Sequence, residues 1–236
     1  MDGILLIDKP IGWTSFDVVN KVRTIIERSE LTPRNKKRYP VGHSGTLDPL
    51  ATGLLIVLVG SYTKHSAEIG KFDKTYQFTM KLGQISTTGD EEGEKTIQSD
   101  HRPSIIQIRQ ALDHFSGPIE QIPPAYSAIK IKGQPAYSLA RRGQPVEIQS
   151  RTVHINSIQL NGYHYPLVEL ETSVSSGTYI RSLAEDIGNY LKTGAYTVAL
   201  RRISIGQFNV QHAISPQTLT IEDIRSQLRE LEHRII

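Results

Sequence analysis

The sequence is organised around one stretch, Gly42-His43-Ser44-Gly45-Thr46-Leu47-Asp48-Pro49-Leu50-Ala51-Thr52-Gly53, which runs directly into Leu54-Leu55-Ile56-Val57-Leu58-Val59. The second segment is short and continuously apolar, which predicts a strand buried on both faces. The first segment is too rich in glycine and proline for a helix or strand interior, which predicts a shaped loop. Such a loop beside a rigid strand can hold one side chain in a fixed place, and Asp48 is its only acid. Taken alone, an aspartate before a proline is more typical of a turn.

The composition predicts a soluble, intracellular protein with a full hydrophobic core. The chain has 236 residues, 38% of them hydrophobic, and no cysteine. The lack of cysteine excludes disulfides and thiolate metal sites, and it fits a reducing cytoplasm. The longest apolar run, Leu54 to Val59, is too short to cross a bilayer. No linker or repeat divides the chain, which predicts a single domain over residues 1–236.

Alternating strands mix with amphipathic helices along the chain. The predicted strands are 3–7, 54–59, 74–82, 152–160, 166–174 and 197–208, and residues 83–97 are predicted to form a loop or a hairpin. One predicted helix is capped by Thr14 or Ser15, two cover 61–70 and 104–115, and the last covers 219–236. Another follows Ser175 to Thr178, with a core stripe of Ile180, Leu183, Ala184 and Ile187. In the first helix, the expected apolar stripe consists of Phe16, Val19, Val22 and Ile26. Tyr76 falls on the apolar face of its strand, where a core tyrosine is the simpler interpretation. Consecutive alternating strands favour antiparallel pairing, so we predict an α+β fold with a mixed, mostly antiparallel central sheet flanked by helices.

Basic residues and tyrosines cluster, which indicates a nucleic-acid partner although the net charge is only +3. The basic clusters are Arg34, Lys36, Lys37 and Arg38; Lys130, Lys132, Arg141 and Arg142; and Arg201 and Arg202. They are interleaved with Tyr126, Tyr137 and Tyr179. Each cluster alone is more typical of a solvated surface, but phosphate neutralisation combined with base stacking requires both kinds of residue. Residues 120–150 are punctuated by Pro and Gly, which predicts a long functional loop laid against a ligand.

The motifs exclude several kinds of chemistry. Histidines in HxxxH or HxH spacing, a P-loop and a GxGxxG turn are all missing, so we expect no metal and no nucleotide cofactor. Arg181 falls in the first turn of its helix, where the macrodipole disfavours a cation, so it should have an anionic partner. Asp48, Tyr76 and Arg181 together suit a covalent or proton-transfer reaction on a base or sugar.

Several motifs resemble, in order, those of the TruB family of tRNA pseudouridine synthases. They are Gly42 to Leu55, Gly3-Ile4-Leu5-Leu6-Ile7-Asp8-Lys9-Pro10 through Thr14-Ser15, Lys74-Thr75-Tyr76, Tyr126-Ser127-Ala128-Ile129-Lys130, Gly177 to Leu183, and Leu200-Arg201-Arg202. The resemblance covers nearly the whole chain. It implies the pseudouridine synthase fold and isomerisation of uridine 55 in the T-loop of tRNA, without a cofactor.

The resemblance also implies roles for individual residues. Asp48 matches the catalytic aspartate, Tyr76 the tyrosine that stacks on the flipped base and accepts a proton, and Arg181 the arginine paired with the aspartate. His43 matches the side chain that fills the space left by flipped nucleotides, and Leu200 the apolar contact beneath the base. Base flipping costs a few kcal/mol, which such contacts recover. Further substrate contacts are expected from Tyr179, Lys64, Lys130, Arg141 and Arg202, and the 120–150 loop is expected to grip RNA.

Two other functions remain open at this point. One is a tRNA-binding protein or chaperone without catalysis, which would not require a carboxylate beside its ligand. The other is a guide-RNA-dependent pseudouridine synthase, a group that normally carries a C-terminal RNA-binding domain of the PUA type. We expect this chain to lack that domain, to act on the T-arm of tRNA as a cytoplasmic monomer, and to require neither a membrane nor an obligate protein partner. The basic insertion Thr32 to Tyr39 is expected either to add phosphate contacts or to be a solvated loop.

Overall fold

The computed structural model describes residues 1–29, 38–127, 129–131, 133–140, 142–144 and 146–230. Its strands are Gly3–Lys9 (β1), Val41–Ser44 (β2), Thr52–Val59 (β3), Lys74–Leu82 (β4), Gln84–Ser86 (β5), Lys95–Ile97 (β6), Gly117–Gln121 (β7), Lys130–Ile131 (β8), Gln134–Pro135 (β9), Arg151–His164 (β10), Leu167–Val174 (β11), Ala195–Ile205 (β12) and Phe208–Asn209 (β13). Its α-helices are Ser15–Arg28 (α1), Ser66–Gly70 (α2), Ile105–His114 (α3), Ala136–Ala140 (α4), Ile180–Tyr190 (α5) and Ile221–Gln227 (α6), and short 3-10 helices cover Gly60–His65 and Val210–His212. The chain forms two compact units, the first from Met1–Lys74 with Arg201–Ile236 and the second from Thr75–Leu200.

The first unit is built around β3, which is buried on both faces. β1 and β2 pair with β3 in antiparallel orientation, and the end of β12 pairs with it in parallel. Leu55, Val57 and Val59 face a core shared with α1. The alternate residues Leu54, Ile56 and Leu58 face a second core that includes Ile69 of α2. Burial on both faces explains the continuous apolar run, and the strand predicted there is confirmed.

Helix α1 begins at a capping box. Thr14 accepts a hydrogen bond from the backbone N–H of Asp17, whose carboxylate accepts one from the N–H of Thr14. The buried stripe of the helix contains Val18, Val19, Val22 and Ile26. Phe16, which we had expected on this stripe, is 56% exposed. It lies about 100° around the helix from the centre of the buried face, so this expectation was wrong.

The second unit contains the strand order β12, β4, β11, β10, β7. β10 is antiparallel to both of its neighbours. Alternate residues of β4, from Tyr76 to Leu82, are buried as predicted. Helix α5 buries Ile180, Leu183, Ala184 and Ile187, which confirms its predicted core stripe. Residues 83–97 contain the antiparallel hairpin of β5 and β6, one of the two forms predicted for this segment.

The predicted fold class is confirmed. Antiparallel pairs predominate, β3 and β12 add a parallel pair, and helices accompany the strands, so the fold is α+β with a mixed, mostly antiparallel sheet. Residues 120–150 contain regular structure of their own, the short hairpin of β8 and β9 and the helix α4.

The C-terminal helix predicted over 219–236 is shorter in the structure. Helix α6 ends at Gln227, and the backbone of Arg229 exchanges two hydrogen bonds with Ile4 of β1, at 2.8 and 2.9 Å. The edge of β1 away from β3, which also binds the backbone of Ile214, therefore competes with the helix for the backbone groups of Arg229. Leu231 and Ile235 of the predicted helix lie outside the described residues. Within the part of the chain that the structure describes, no helix is long and apolar enough to cross a membrane.

Candidate active site

Asp48 lies in the loop of the first unit that joins β2 to β3, residues 45–51. The loop makes a tight turn after Asp48, since the N–H of Ala51 donates to the carbonyl oxygen of Asp48 at 3.0 Å. The turn predicted from the Asp48-Pro49 pair is therefore present, and Asp48 itself is half-buried. The backbone is fixed from outside as well: Ser15 binds Leu47, and the N–H of Gly12 donates to the carbonyl oxygen of Pro49 at 2.8 Å.

Arg202 ties this loop to the strands below it. Its guanidinium is 1% exposed and donates to the carbonyl oxygens of Leu54 (2.7 Å), Gly45 (2.8 Å) and Thr46 (3.5 Å). At Gly53, φ is +101° and an added Cβ would lie 2.2 Å from the carbonyl oxygen of Arg202. Only glycine permits this close approach of the two strands. The substrate contact expected from Arg202 is thus at odds with its position, because its donors are used to hold the loop.

His43 lies in a strand, not in a loop as the glycine content suggested. β2 pairs with β3, so that His43 stands opposite Val57. Pairing with a buried strand outweighs the low strand propensity of the flanking Gly42. The imidazole Nδ1 is buried and has no hydrogen-bond partner among the described residues. Burial, followed by the charge of Arg202, lowers the pKa of His43.

Two buried lysines add positive charge to the first unit. Lys9 is fully buried and donates to the carbonyl oxygens of Trp13 (2.7 Å), Pro10 (3.0 Å) and Pro49 (3.4 Å). Burial lowers the pKa of Lys9 to about 8, and the charge of Asp48 opposes this shift. Lys74 donates to the carbonyl oxygens of Gly70 and Phe72, and burial lowers its pKa to about 8 as well. Sequence reasoning assigned no role to Lys9, although it lies in one of the matching motifs.

Tyr76 lies in the second unit, on the buried face of β4. Its side chain is 7% exposed, and Phe78 and Met80 follow on the same face. The alternation of β4 therefore places the tyrosine as predicted. A ring held on a strand is fixed more firmly than one on a loop.

Arg181 has an anionic partner in the second unit, as its place in the first turn of α5 led us to expect. Its Nη1 lies 3.2 Å from Oδ2 of Asp90, and both side chains are nearly fully buried. Further donors of the guanidinium reach the carbonyl oxygens of Thr88 (3.0 Å) and Tyr126 (2.9 Å). Asp90 was missed by sequence reasoning because it stands first in an acidic run that is typical of a solvated loop. Its pairing with Arg181 depends on the fold of the segment.

Two carboxyl groups follow Arg181 on the next turn of α5. Burial, together with the neighbouring Asp186, raises the pKa of Glu185 to about 7, while Arg181 opposes the shift. Burial raises the pKa of Asp186 to about 6. Both groups therefore titrate closer to neutrality than free carboxyls do.

Tyr179 immediately precedes α5 and is anchored through its backbone. Its N–H donates to the side-chain oxygen of Gln121 at 2.8 Å, and the amide of Gln121 donates back to its carbonyl oxygen at 3.1 Å. The ring lies 5.2 Å from the guanidinium carbon of Arg151. Leu200, at the end of the second unit on β12, is 9% exposed.

The other predicted substrate-binding residues are basic. Lys64, on the 3-10 helix Gly60–His65, and Lys130, at the start of β8, are exposed. Arg141 lies outside the described residues, as do Arg34, Lys36 and Lys37 of the basic insertion. Within the described ranges, no group of three or more His, Asp or Glu side chains is arranged to hold a metal ion.

The structure thus assembles two groups of residues, one in each unit. In the first unit, Arg202, Ser15 and Gly12 hold the loop of Asp48 while Lys9 interacts with it electrostatically. In the second unit, Arg181 joins the segment of Asp90 to that of Tyr126.

The chain matches two family descriptions over most of its length. Residues 34–180 match the TruB family pseudouridylate synthase (N terminal domain), and residues 181–233 match the tRNA pseudouridylate synthase B C-terminal domain. The class of protein that these matches define is the pseudouridine synthase, an isomerase.

Curated relatives agree with these matches. The tRNA pseudouridine synthase B of Burkholderia mallei is 42% identical over 219 residues, which are 93% of this chain and 69% of the relative. The protein of the same name from Pseudomonas aeruginosa has the same identity and coverage. The chain therefore belongs to the TruB family, and the predicted enzyme class and function are supported.

Solved structures resemble the chain at lower identity. One is described as the crystal structure of a Cbf5-Nop10-Gar1 complex; it is 27% identical with a TM-score of 0.68, covering 95% of this chain and 54% of that one. Another is an H/ACA RNP bound to a substrate RNA containing 2'-deoxyuridine, 25% identical with a TM-score of 0.66, covering 92% of this chain and 52% of that one. The chain thus spans about half the length of these solved proteins.

Proposed function

We propose that the protein isomerises uridine 55 in the T-loop of tRNA to pseudouridine, and that Asp48 carries out the reaction. The observation that supports this most directly is the fixation of the Asp48 loop. Its backbone is bound at Gly45, Leu47 and Pro49, while Asp48 as a residue is only half-buried. A carboxylate held in this way is pre-organised to attack a substrate.

The reaction requires no external oxidant or reductant, because its atoms balance within the nucleotide. The bond between N1 and C1′ breaks, a bond between C5 and C1′ forms, the proton of C5 leaves and N1 gains one. In our proposal Asp48 attacks or deprotonates the nucleotide so that the base detaches and turns. Tyr76 stacks on the flipped base and accepts the proton, and Arg181 pairs with the aspartate.

The substrate contacts are proposed from the resemblance and from the chemistry of the side chains. Lys64, Lys130 and Arg141 would neutralise phosphates, and the exposure of the first two suits this role. Tyr179 and Leu200 would contact the flipped nucleotide, and His43 would fill the space it leaves. The 120–150 segment would grip the T-arm.

We further propose that residues 1–236 act as one catalytic domain, as a monomer without a protein partner. The first unit contains both ends of the described chain, and β12 passes from one unit to the other without a break, which favours one cooperative domain. The sequence has no cysteine, which fits the cytoplasm, where tRNA is modified.

A guide-RNA-dependent synthase is the main competing function, since the solved relatives are components of ribonucleoprotein or multiprotein complexes. The curated tRNA enzymes, at 42% identity, are closer than those proteins, at 25–27%. The identities therefore favour direct action on tRNA.

One experiment separates the possibilities. Purified protein is incubated with an unmodified tRNA transcript, and pseudouridine is mapped along the RNA. We expect product at position 55 without guide RNA or partner; none at all would favour a binding protein, and product only with a guide would favour the ribonucleoprotein enzyme. Asp48→Asn should bind tRNA yet form no product, whereas Asp100→Asn, the same change at an exposed residue, should behave as wild type. Product formation by Asp48→Asn would contradict the assignment.

A further inference from the structure

Ser15 makes an unusual pair of hydrogen bonds to the backbone beside Asp48. Its hydroxyl oxygen accepts from the N–H of Leu47 at 2.8 Å and donates to the carbonyl oxygen of the same residue at 3.0 Å. Leu47 is the residue directly before Asp48. Ser15 is 2% exposed and Leu47 is 4% exposed, so water does not readily replace the hydroxyl.

The sequence allowed either Thr14 or Ser15 to cap α1, and the structure separates their roles. Thr14 is the N-cap and completes the capping box with Asp17. Ser15 is the first residue of the helix, so its hydroxyl is not required for capping and is available to the loop. Because it stands at the start of a helix of 14 residues, its position is rigid.

The other anchors of the loop lie on either side of this contact. Arg202 binds the carbonyl oxygen of Gly45 at 2.8 Å, two residues before Leu47. The N–H of Gly12 binds the carbonyl oxygen of Pro49 at 2.8 Å, two residues after it. Ser15 therefore holds the middle of the loop, next to the residue that carries the carboxylate.

We propose that Ser15 is a positioning residue for the reaction: its hydroxyl sets the backbone at Leu47 and thereby the direction of the Asp48 side chain. This inference rests on the proposed catalytic role of Asp48. Removing the hydroxyl leaves the buried N–H and carbonyl groups of Leu47 without this hydrogen-bond partner. The loop then shifts so that these two groups can bind other partners. A misplacement of about 1 Å costs about 100-fold in rate.

The test compares Ser15→Ala with Thr172→Val. Thr172 is likewise fully buried, and its hydroxyl donates a 2.8 Å hydrogen bond to the carbonyl oxygen of Ser157 in the second unit, remote from the loop in sequence. Single-turnover rates on a tRNA transcript and the Kd for tRNA are measured with saturating enzyme, alongside wild type and Asp48→Asn. We expect Ser15→Ala to lose about 10- to 100-fold in rate with a Kd within about twofold of wild type. Thr172→Val should keep the rate.

Hydrogen exchange of the Leu47 amide provides a second measurement, independent of activity. We expect faster exchange at Leu47 in Ser15→Ala and unchanged exchange there in Thr172→Val. If Ser15→Ala does not fold, Ser15→Cys, which has a similar volume but forms weaker hydrogen bonds, should show a smaller change of the same kind.

The outcomes separate this inference from the proposed function. A Ser15→Ala rate within about twofold of wild type, an unchanged Leu47 exchange rate, or an equal loss in Thr172→Val would each overturn the positioning role. If instead Asp48→Asn is active, the proposed catalytic role of Asp48 fails, and the exchange rates still decide whether Ser15 holds the loop.

Discussion

Asp90 and Arg181 form a buried ion pair, with 3.2 Å between Oδ2 of the aspartate and Nη1 of the arginine and with side chains only 4% and 5% exposed. Asp90 also accepts a hydrogen bond from the N–H of Glu92 at 3.0 Å. A buried charge that keeps its hydrogen bonds is tolerated, but one that loses its partner is costly. The pair therefore fixes Arg181 in the second unit at a definite orientation.

Neutralising Asp90 should destabilise the protein and reduce its activity. We expect Asp90→Asn to lower the free energy of unfolding by about 3 kcal/mol, because Arg181 then keeps a buried charge without its carboxylate. Pseudouridine formation should fall as well, since Arg181 is proposed to act in the reaction. Urea unfolding and the tRNA assay measure the two effects. Asp100→Asn, at an exposed position, is the control, and equal effects of both variants would contradict the prediction.

Replacing Arg202 should lower the stability and the activity of the protein even when the positive charge is kept. Arg202→Lys loses the planar fork that reaches Leu54 and Gly45 together. With buried carbonyl groups left unpaired, we expect a loss of about 2 kcal/mol in the free energy of unfolding and slower product formation. Arg201→Lys is the matched control: that side chain pairs with Asp8 at 2.8 Å, but the two are 39% and 33% exposed. Such pairs contribute at most about 1 kcal/mol. A smaller loss in Arg202→Lys than in Arg201→Lys would refute this account.

The raised pKa of Glu185 predicts how stability depends on pH. Its pKa is about 7 in the folded protein against 4.5 for the free side chain, chiefly because of burial. The folded state therefore holds this proton more tightly, and the resulting stability is lost as pH rises from about 4.5 through about 7. Glu185→Gln should remove this loss, because glutamine does not ionise. The free energy of unfolding of the variant minus that of wild type should therefore be larger at pH 8 than at pH 6.

Urea unfolding of both proteins at pH 6 and pH 8 tests this prediction. Subtracting the two curves cancels the titration of groups that do not interact with Glu185, including the buried lysines with pKa values of about 8. The neighbouring Asp186 contributes to the raised pKa of Glu185, so the difference between the two proteins reports on the interacting pair. Glu147→Gln, at an exposed position, should show no such difference. If the difference in free energy of unfolding between wild type and Glu185→Gln is the same at pH 6 and pH 8, the prediction is wrong.

Tyr76→Phe distinguishes stacking from proton transfer. The variant keeps the ring on the buried face of β4 but loses the hydroxyl. We expect tRNA binding to persist while turnover falls by about 100-fold or more, as for loss of a general base. The control is Tyr196→Phe, since Tyr196 is also buried and its hydroxyl interacts with Glu91. Normal turnover by Tyr76→Phe would leave packing as the only role of the tyrosine.

Local patterns in the sequence were sufficient for the elements with one clear periodicity. The run Leu54 to Val59 and the alternation from Lys74 to Leu82 each predicted a strand that the structure contains. The stripe from Ile180 to Ile187 likewise predicted the buried face of α5. Burial follows directly from periodicity in such segments. Prediction failed where an interaction with a distant part of the chain overrides the local pattern. Pairing with β3 places His43 in a strand, and hydrogen bonding to β1 ends the helix α6 early.

The sequence by itself therefore determined the fold class, the family and the acid at the centre of the proposed reaction, because motifs and periodicities are properties of neighbouring residues. Only the tertiary structure decided what holds that acid. The partners of the Asp48 loop, Ser15 and Arg202, stand 33 residues before it and 154 after it. Asp90, the partner of Arg181, is 91 residues away from it. Such contacts arise from packing, and no pattern within a short window of sequence specifies them.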